Sequence, residues 1–177
     1  MEKKYELTDE TQIIDSNITL HRIRALKDFD DVKKGDLGGF IEKEDYLYHT
    51  GNCWIYGNAK VLGGAEVCDD AKIYHDARVY GRAEVYGNAK VFNNARIFGN
   101  ARIYGNAEVY GNAEVYGNSR IYDYASVYGD AVISGNAEIY GDAKVYGNAS
   151  VRGSVEVYGN INLCRNDEVT RGEVYHQ

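Results

Sequence analysis

Proline is absent from the 177 residues, and methionine and tryptophan each occur once. No apolar stretch approaches the roughly 20 residues that a membrane-spanning helix needs. The start, Met-Glu-Lys-Lys-Tyr-Glu, leads into no apolar run, so neither a membrane segment nor a secretory signal is expected. Three cysteines, Cys53, Cys68 and Cys164, cannot all pair, and they lack metal-ligand or redox spacing. They suit a reducing compartment, and the expected localisation is cytoplasmic. Positive charge is not in excess: the net charge is −7, with −4 carried by residues 1–50 (12 acids, 8 bases) and −3 by the rest (15 acids, 12 bases). A chain without a basic stripe cannot neutralise a phosphate backbone, so nucleic acid is not expected as a partner.

What is abundant is glycine (20) and tyrosine (17), a bias that directs attention to repeats. From Ile55 to Val169 an aliphatic residue recurs at every sixth position, 20 times in 20 hexads, and all but Leu163 are β-branched. Tyr, Gly and Asn or Asp usually follow. Position five is Ala or Ser in the first 16 hexads, from Ala59 to Ala149, and position six is usually charged. The run Ala-charged-Val-Tyr alternates inward and outward, as a strand does. Gly-Asn then supplies a corner, because both residues tolerate positive φ. Six-residue units turning a third of a circuit give 18-residue coils of parallel strands, between six and seven in all. The fold class is therefore all-β: a parallel β-helix solenoid with three hexapeptides per coil and an N-terminal cap.

The Val-Tyr-Gly-Asn-Ala-Lys hexads resemble the hexapeptide-repeat superfamily, and that resemblance alone implies a left-handed β-helix. Residues 20–44, LHRIRALKDFDDVKKGDLGGFIEKE, together with Trp54, resemble the leader of phage and prophage hexapeptide-repeat proteins. The domain reading has an N-terminal capping segment at 1–50, the repeat helix at 51–160 and a C-terminal cap at 161–177. The first segment holds strand-like Ile18–Leu26 and a glycine turn, Gly35-Asp36-Leu37-Gly38-Gly39, and is expected to fold over the first coil. Solenoid ends need such covers because open strand edges pair with other chains.

Steps of 18 sort the outward residues into three walls. One carries Tyr56, Tyr74, Phe92, Tyr110, Tyr128 and Tyr146. A second begins Leu62, Tyr80, Phe98, Tyr116 and lapses into Ser134 and Arg152. A third carries Cys68, then Tyr86, Tyr104, Tyr122, Tyr140 and Tyr158. Stacked rings can stabilise a sheet on their own account, or offer a rigid surface to a protein partner. Read for binding, Tyr86, Tyr104, Tyr122, Tyr140 and Tyr158, with Arg102 and Arg120 beside them, are the partner-contact candidates. Leu62, Phe98 and Val132 on the second wall are the candidates for homo-oligomer contacts.

Chemistry has few carriers. The superfamily resemblance implies either a zinc site built from three histidines of neighbouring coils or acyl transfer from a thioester donor with one histidine as base. Of His21, His49, His75 and His176, only His75 lies well inside the coils, so no metal ligand set and no cofactor are expected. For acyl transfer, His75 stands beside Asp76 at a corner, where it replaces a glycine. The coils carry no interrupting loop and only a short tail, unlike many acyltransferases of the superfamily. The reading is a non-catalytic, phage-type binding protein that engages a macromolecular partner and interferes with a host bacterial system. The alternative is a hexapeptide acyltransferase working as a trimer with His75 as base. A third, an acidic DNA mimic, is disfavoured because Lys72, Lys90, Lys144, Arg78, Arg96, Arg102 and Arg120 interrupt the negative charge.

Overall fold

The structure, a computed structural model, describes residues 2–15 and 17–176, apart from the side chain of His176. It is an all-β parallel solenoid of about eight turns. Strands β1 (Tyr5–Ile14), β2 (Ile18–Ala25) and β3 (Leu37–Ile41) form the cap. Short strands then follow at six-residue intervals, from β4 (Trp54–Ile55) to β24 (Gly172–His176). Every third coil strand joins the same sheet, giving two sheets of seven strands and one of ten. Partners within a sheet are parallel and 18 residues apart, as in Lys90↔Glu108 and Val91↔Val109.

The alternation read from the hexads sets the interior. In Lys90–Val91, Arg96–Ile97 and Glu108–Val109 the first residue meets solvent and the second is buried. Every Ala or Ser from Ala59 to Ala149 in position five is fully buried, Ser119 included. Val and Ile fill the prism while Ala lines the converging walls. Each coil hands its backbone N–H groups to the carbonyls of the next: Tyr104 N–H donates to Ile121 O at 3.0 Å and Asn112 N–H to Gly129 O at 2.7 Å.

The corners impose the strictest demand. From Gly57 to Arg165 position three takes φ near +60° to +80°, and where glycine is missing Asp69, His75, Asn93, Asp123 and Arg165 adopt the same left-handed conformation (φ +56° to +61°). Gly117 shows why glycine prevails: φ is +75°, and a Cβ there would lie 2.7 Å from Gly135 O in the next coil. The corner asparagines above one another bond along the axis, Asn100 Nδ2 to Asn118 Oδ1 and Asn118 Nδ2 to Asn136 Oδ1, both at 3.0 Å.

The cap extends the solenoid as well as covering it. β1 and β2 are antiparallel, β2 pairs antiparallel with β3, and β3 runs parallel to β5 (Lys60–Val61). The segment expected as a glycine turn therefore turns only at its start, where Gly35 has φ +96°; Leu37-Gly38-Gly39 already belong to β3. Close approach explains the paired glycines, since a Cβ on Gly39 would lie 2.5 Å from Ala59 O. Tyr5, Trp54 and Phe29 plug the open end, with Trp54 5.4 Å from Phe29 and 6.1 Å from Tyr5 between ring centroids. A polar latch ties the 28–31 turn to the coils: Lys72 Nζ meets Asp30 and Asp31 at 2.5 and 2.8 Å, and Tyr56 Oη donates to Asp31 at 2.6 Å.

At the far end, the segment read as a closing cap adds one strand to each sheet: β22 (Asn162–Leu163), β23 (Glu168–Val169) and β24. The six-residue register holds to Val169, which pairs 18 residues on from Val151. It then shortens by one, because Val155 pairs with Gly172 and Val157 with Val174.

Two predictions follow from this architecture. Ala107→Leu is expected to destabilise the chain by about 1–3 kcal/mol through overpacking, whereas Glu108→Lys, which breaks an exposed pair with Lys90, is expected to cost less than about 1 kcal/mol. Urea unfolding of both variants checks this, and equal losses would contradict the inward–outward alternation. The second prediction concerns acid. The hydrogen bonds from Lys72 and then Tyr56 hold Asp31 below the usual carboxylate range, and the bond from Lys3 does the same for Glu44. A carboxyl depressed on folding stabilises above its unfolded pKa, near ~4, and that stability is lost as pH falls through the folded value. The unfolding midpoint should therefore drop between about pH 4 and pH 2, and Asp31→Asn should flatten part of that drop. A midpoint with the same acid slope in Asp31→Asn would remove the latch from the account.

Candidate functional site

Three features of the surface offer recognition or chemistry: the third tyrosine wall, the corner at His75 and a groove beside the cap. The wall is a stack of regular geometry. Tyr86, Tyr104, Tyr122, Tyr140 and Tyr158 lie 4.9–5.0 Å apart between ring centroids, with interplanar angles of 1–7°. Strand spacing in a parallel sheet sets that distance. Tyr175 adds a sixth ring at 5.0 Å, a member hidden from the six-residue count by the one-residue shortening of the last coil.

The rings are half-buried by one another, and three of their hydroxyls are committed. Tyr122, Tyr140 and Tyr158 donate to Glu138, Glu156 and Glu173 at 3.2, 3.0 and 3.1 Å. Desolvation by the stack raises the phenol of Tyr140 to about 12, with the Glu156 carboxylate adding to the rise, and raises those of Tyr86, Tyr104 and Tyr122. The wall therefore presents neutral phenols at ordinary pH. Arg102 and Arg120 are paired within the chain, to Glu84 at 3.2 Å and Glu138 at 3.1 Å. The structure brings these seven residues onto one face, as two parallel rows.

The second wall is changed by the cap. Leu62 is only 8% exposed and packs with Leu20 and Phe40 of its own chain, so it offers no surface to another copy. The cause is the hairpin of β2 and β3, which continues this sheet past the first coil. Phe98 remains half-exposed, stacked between Tyr80 and Tyr116 at 4.9 and 4.8 Å, and Val132 is half-exposed on the same wall.

His75 is exposed and sits at the corner that joins β7 (Lys72–Ile73) to β8 (Arg78–Val79), on the border of that second wall. Its backbone takes φ +58° and its carbonyl accepts from Asn58 N–H at 2.9 Å. Among the described residues its imidazole has no hydrogen-bond partner, Asp76 included. Both ring nitrogens are open to solvent or to a ligand.

The groove beside the cap was missed by reasoning from the repeat. It has a volume of about 640 Å³ and is lined by Lys3, Glu44, Leu47, Tyr48, His49 and Glu66 among others. His49 Nδ1 accepts from Lys4 N–H at 3.1 Å, which places the proton on Nε2, and Nε2–H donates to Glu44 Oε1 at 2.8 Å. With both nitrogens engaged, His49 has no free lone pair to act as a base. Its ring instead packs on Tyr5 at 4.5 Å. No signal in the sequence pairs His49 with Lys4 and Glu44, since all three lie outside the hexads. Among the described residues no group of three or more His, Cys, Asp or Glu side chains is placed to hold a metal ion.

Comparison with known proteins finds two partial matches. The family described as YdcK Beta solenoid repeat matches residues 95–111, about one coil. A protein of Escherichia coli (strain K12) described as "Uncharacterized acetyltransferase YdcK" is 39% identical over 61 residues, covering 30% of this chain and 19% of that protein. The chain therefore matches about a fifth of the length of this curated relative. Neither match supports the phage assignment that the leader resemblance implied. The chain carries a β-solenoid repeat of the YdcK type and is distantly related to an acetyltransferase described as uncharacterized.

Proposed function

We propose that the chain is an acyltransferase solenoid that takes an acyl thioester as donor and a hydroxyl or amine as acceptor, with His75 as general base. The observation that carries this reading is the 39% identity over 61 residues to a protein described as an uncharacterized acetyltransferase. His75 fits the role chemically, because a base needs a free imidazole nitrogen within reach of the acceptor proton. In the reaction, that nitrogen removes the proton as the acceptor attacks the thioester carbonyl, and the thiol leaves. A single copy surrounds His75 with open solvent. A second copy packed on the wall of Phe98 and Val132 would bring its own surface to the His75 corner, so the site is completed by assembly, as a trimer.

A second reading is kept on one specific observation, the stack from Tyr86 to Tyr175. Six rings in register form a rigid wall of the kind that binds a protein partner at small entropic cost, with Arg102 and Arg120 as donors of a type enriched at hot spots.

The readings separate in one set of experiments. With acetyl-coenzyme A as donor and a panel of small amines and alcohols as acceptors, turnover is expected, falling by about 10²–10⁴-fold in His75→Gly. The variant should fold at least as well as the parent, gaining up to about 1 kcal/mol, since glycine accepts positive φ without strain. Light scattering should give three times the 19.8 kDa chain mass. Turnover unchanged in His75→Gly, or a monomer at high concentration, would end the acyltransferase reading. Loss of partner capture in Tyr104→Ala with Tyr122→Ala, with the coils still folded and no turnover in the parent, would establish the second.

A further inference from the structure

Beneath the cap, an amine and a thiol that neither reading uses are sealed together. Lys4 is 1% exposed and Cys53 is fully buried. Lys4 Nζ lies 3.3 Å from Cys53 Sγ, 2.9 Å from Cys53 O and 3.3 Å from Gly51 O. The ring of Phe29 closes the other side, 5.1 Å from Nζ to its centroid. None of the ion pairs among the described residues involves Lys4. Burial lowers the lysine's pKa and raises that of the thiol, so both groups are pushed towards their neutral forms. A neutral amine carries the lone pair that makes it a nucleophile.

We propose that Lys4 and Cys53 are an oxidant-dependent cross-linking site, whose reagent is a hydroperoxide and whose product is a sulfenamide. In the first step the Cys53 sulfur attacks the peroxide O–O bond, giving a sulfenic acid and releasing an alcohol, or water when the reagent is hydrogen peroxide. In the second step the Lys4 amine attacks that sulfur. The S–N bond forms, the S–O bond breaks, and the departing hydroxide leaves as water with a proton from the amine. The sulfur is oxidised by two electrons, the peroxide is reduced by two, and the chain loses two hydrogens in all. An added thiol reverses the link by attacking the sulfur and returning the amine.

The surroundings supply both access and consequence. Cys53 Sγ contacts the carbonyl oxygens of Tyr48 and Thr50, at 3.3 and 3.8 Å. Tyr48, His49 and Thr50 line the groove of about 640 Å³. One loop thus separates solvent from the sulfur. A buried thiol of raised pKa is slow in the closed fold, so oxidation proceeds at the rate at which that loop opens. The product joins the residue just before β1 to the residue just before β4, across 49 residues of chain. It converts a packed cover into a covalently closed one.

The test treats the full chain with hydrogen peroxide in a Cys68→Ser, Cys164→Ser background, which removes disulfides as a source of the same mass loss. Intact mass should fall by two hydrogens. A peptide map should join the Lys4 segment to the Cys53 segment, the thermal midpoint should rise, and dithiothreitol should reverse all three. Lys4→Met and Lys4→Arg should both abolish the link and leave Cys53 adding oxygen instead. The proposal is overturned if, in the parent, Cys53 gains oxygen while the Lys4 amine stays free. It is equally overturned if Cys53 remains a thiol in the folded chain under peroxide that oxidises it in the urea-unfolded chain.

Discussion

One constraint governs the molecule: at every sixth residue the backbone must pass through the left-handed region while its N–H and C=O groups bond to the coils on either side. The neighbouring corner is so close that a Cβ on Gly117 would intrude on Gly135 O. Glycine meets the demand at least cost, and Asp, Asn, His or Arg stand in at five positions with the same positive φ. Given that corner, the rest follows in order. Strands of two residues have room for one inward side chain, so Val or Ile fills the prism and Ala lines its walls. Parallel stacking then places each outward position over its counterpart at strand spacing, so tyrosines and asparagines that recur in the hexads form ladders.

The ladders therefore have a structural reason to exist before any function is considered. Each stacked phenol loses water to its neighbours, and hydroxyls such as those of Tyr122 and Tyr140 are satisfied by glutamates of the next coil. A partner meeting the Tyr122–Tyr158 part of this wall would find neutral rings whose polar tips are already engaged. The exposed, unpartnered imidazole of His75 is a different kind of feature. It occupies a place where glycine would be less strained, and among the described residues it makes no side-chain hydrogen bond or ion pair.

Periodicity made the coils legible because each hexad repeats the same local problem. The inward Val/Ile/Ala set, the three walls and the corner chemistry were all readable from residues such as Ala107, Glu108 and Val109. What escaped lies where the period ends. Leu62 looked outward by register, yet the hairpin of β2 and β3 continues its sheet and covers it. Leu37-Gly38-Gly39 read as a turn because glycine marks turns, but here it marks a close approach of β3 to Ala59. Tyr175 was hidden by the loss of one residue after Val169. The contacts of Lys4 with Cys53, and of His49 with Glu44, join segments more than 40 residues apart or outside the repeat, and nothing local announces them. The candidate base was legible as an oddity, a histidine at a glycine corner; its isolation from Asp76 was not.

The most direct test of the corner constraint is the unfolding free energy of Gly117→Ala. If the left-handed corner and its tight contact with the next coil govern the fold, alanine should lower stability by more than about 1 kcal/mol. If the corner were free to adopt ordinary backbone angles, alanine would restrict the unfolded chain and raise stability by about 0.4–1 kcal/mol. A gain of that sign would contradict the account.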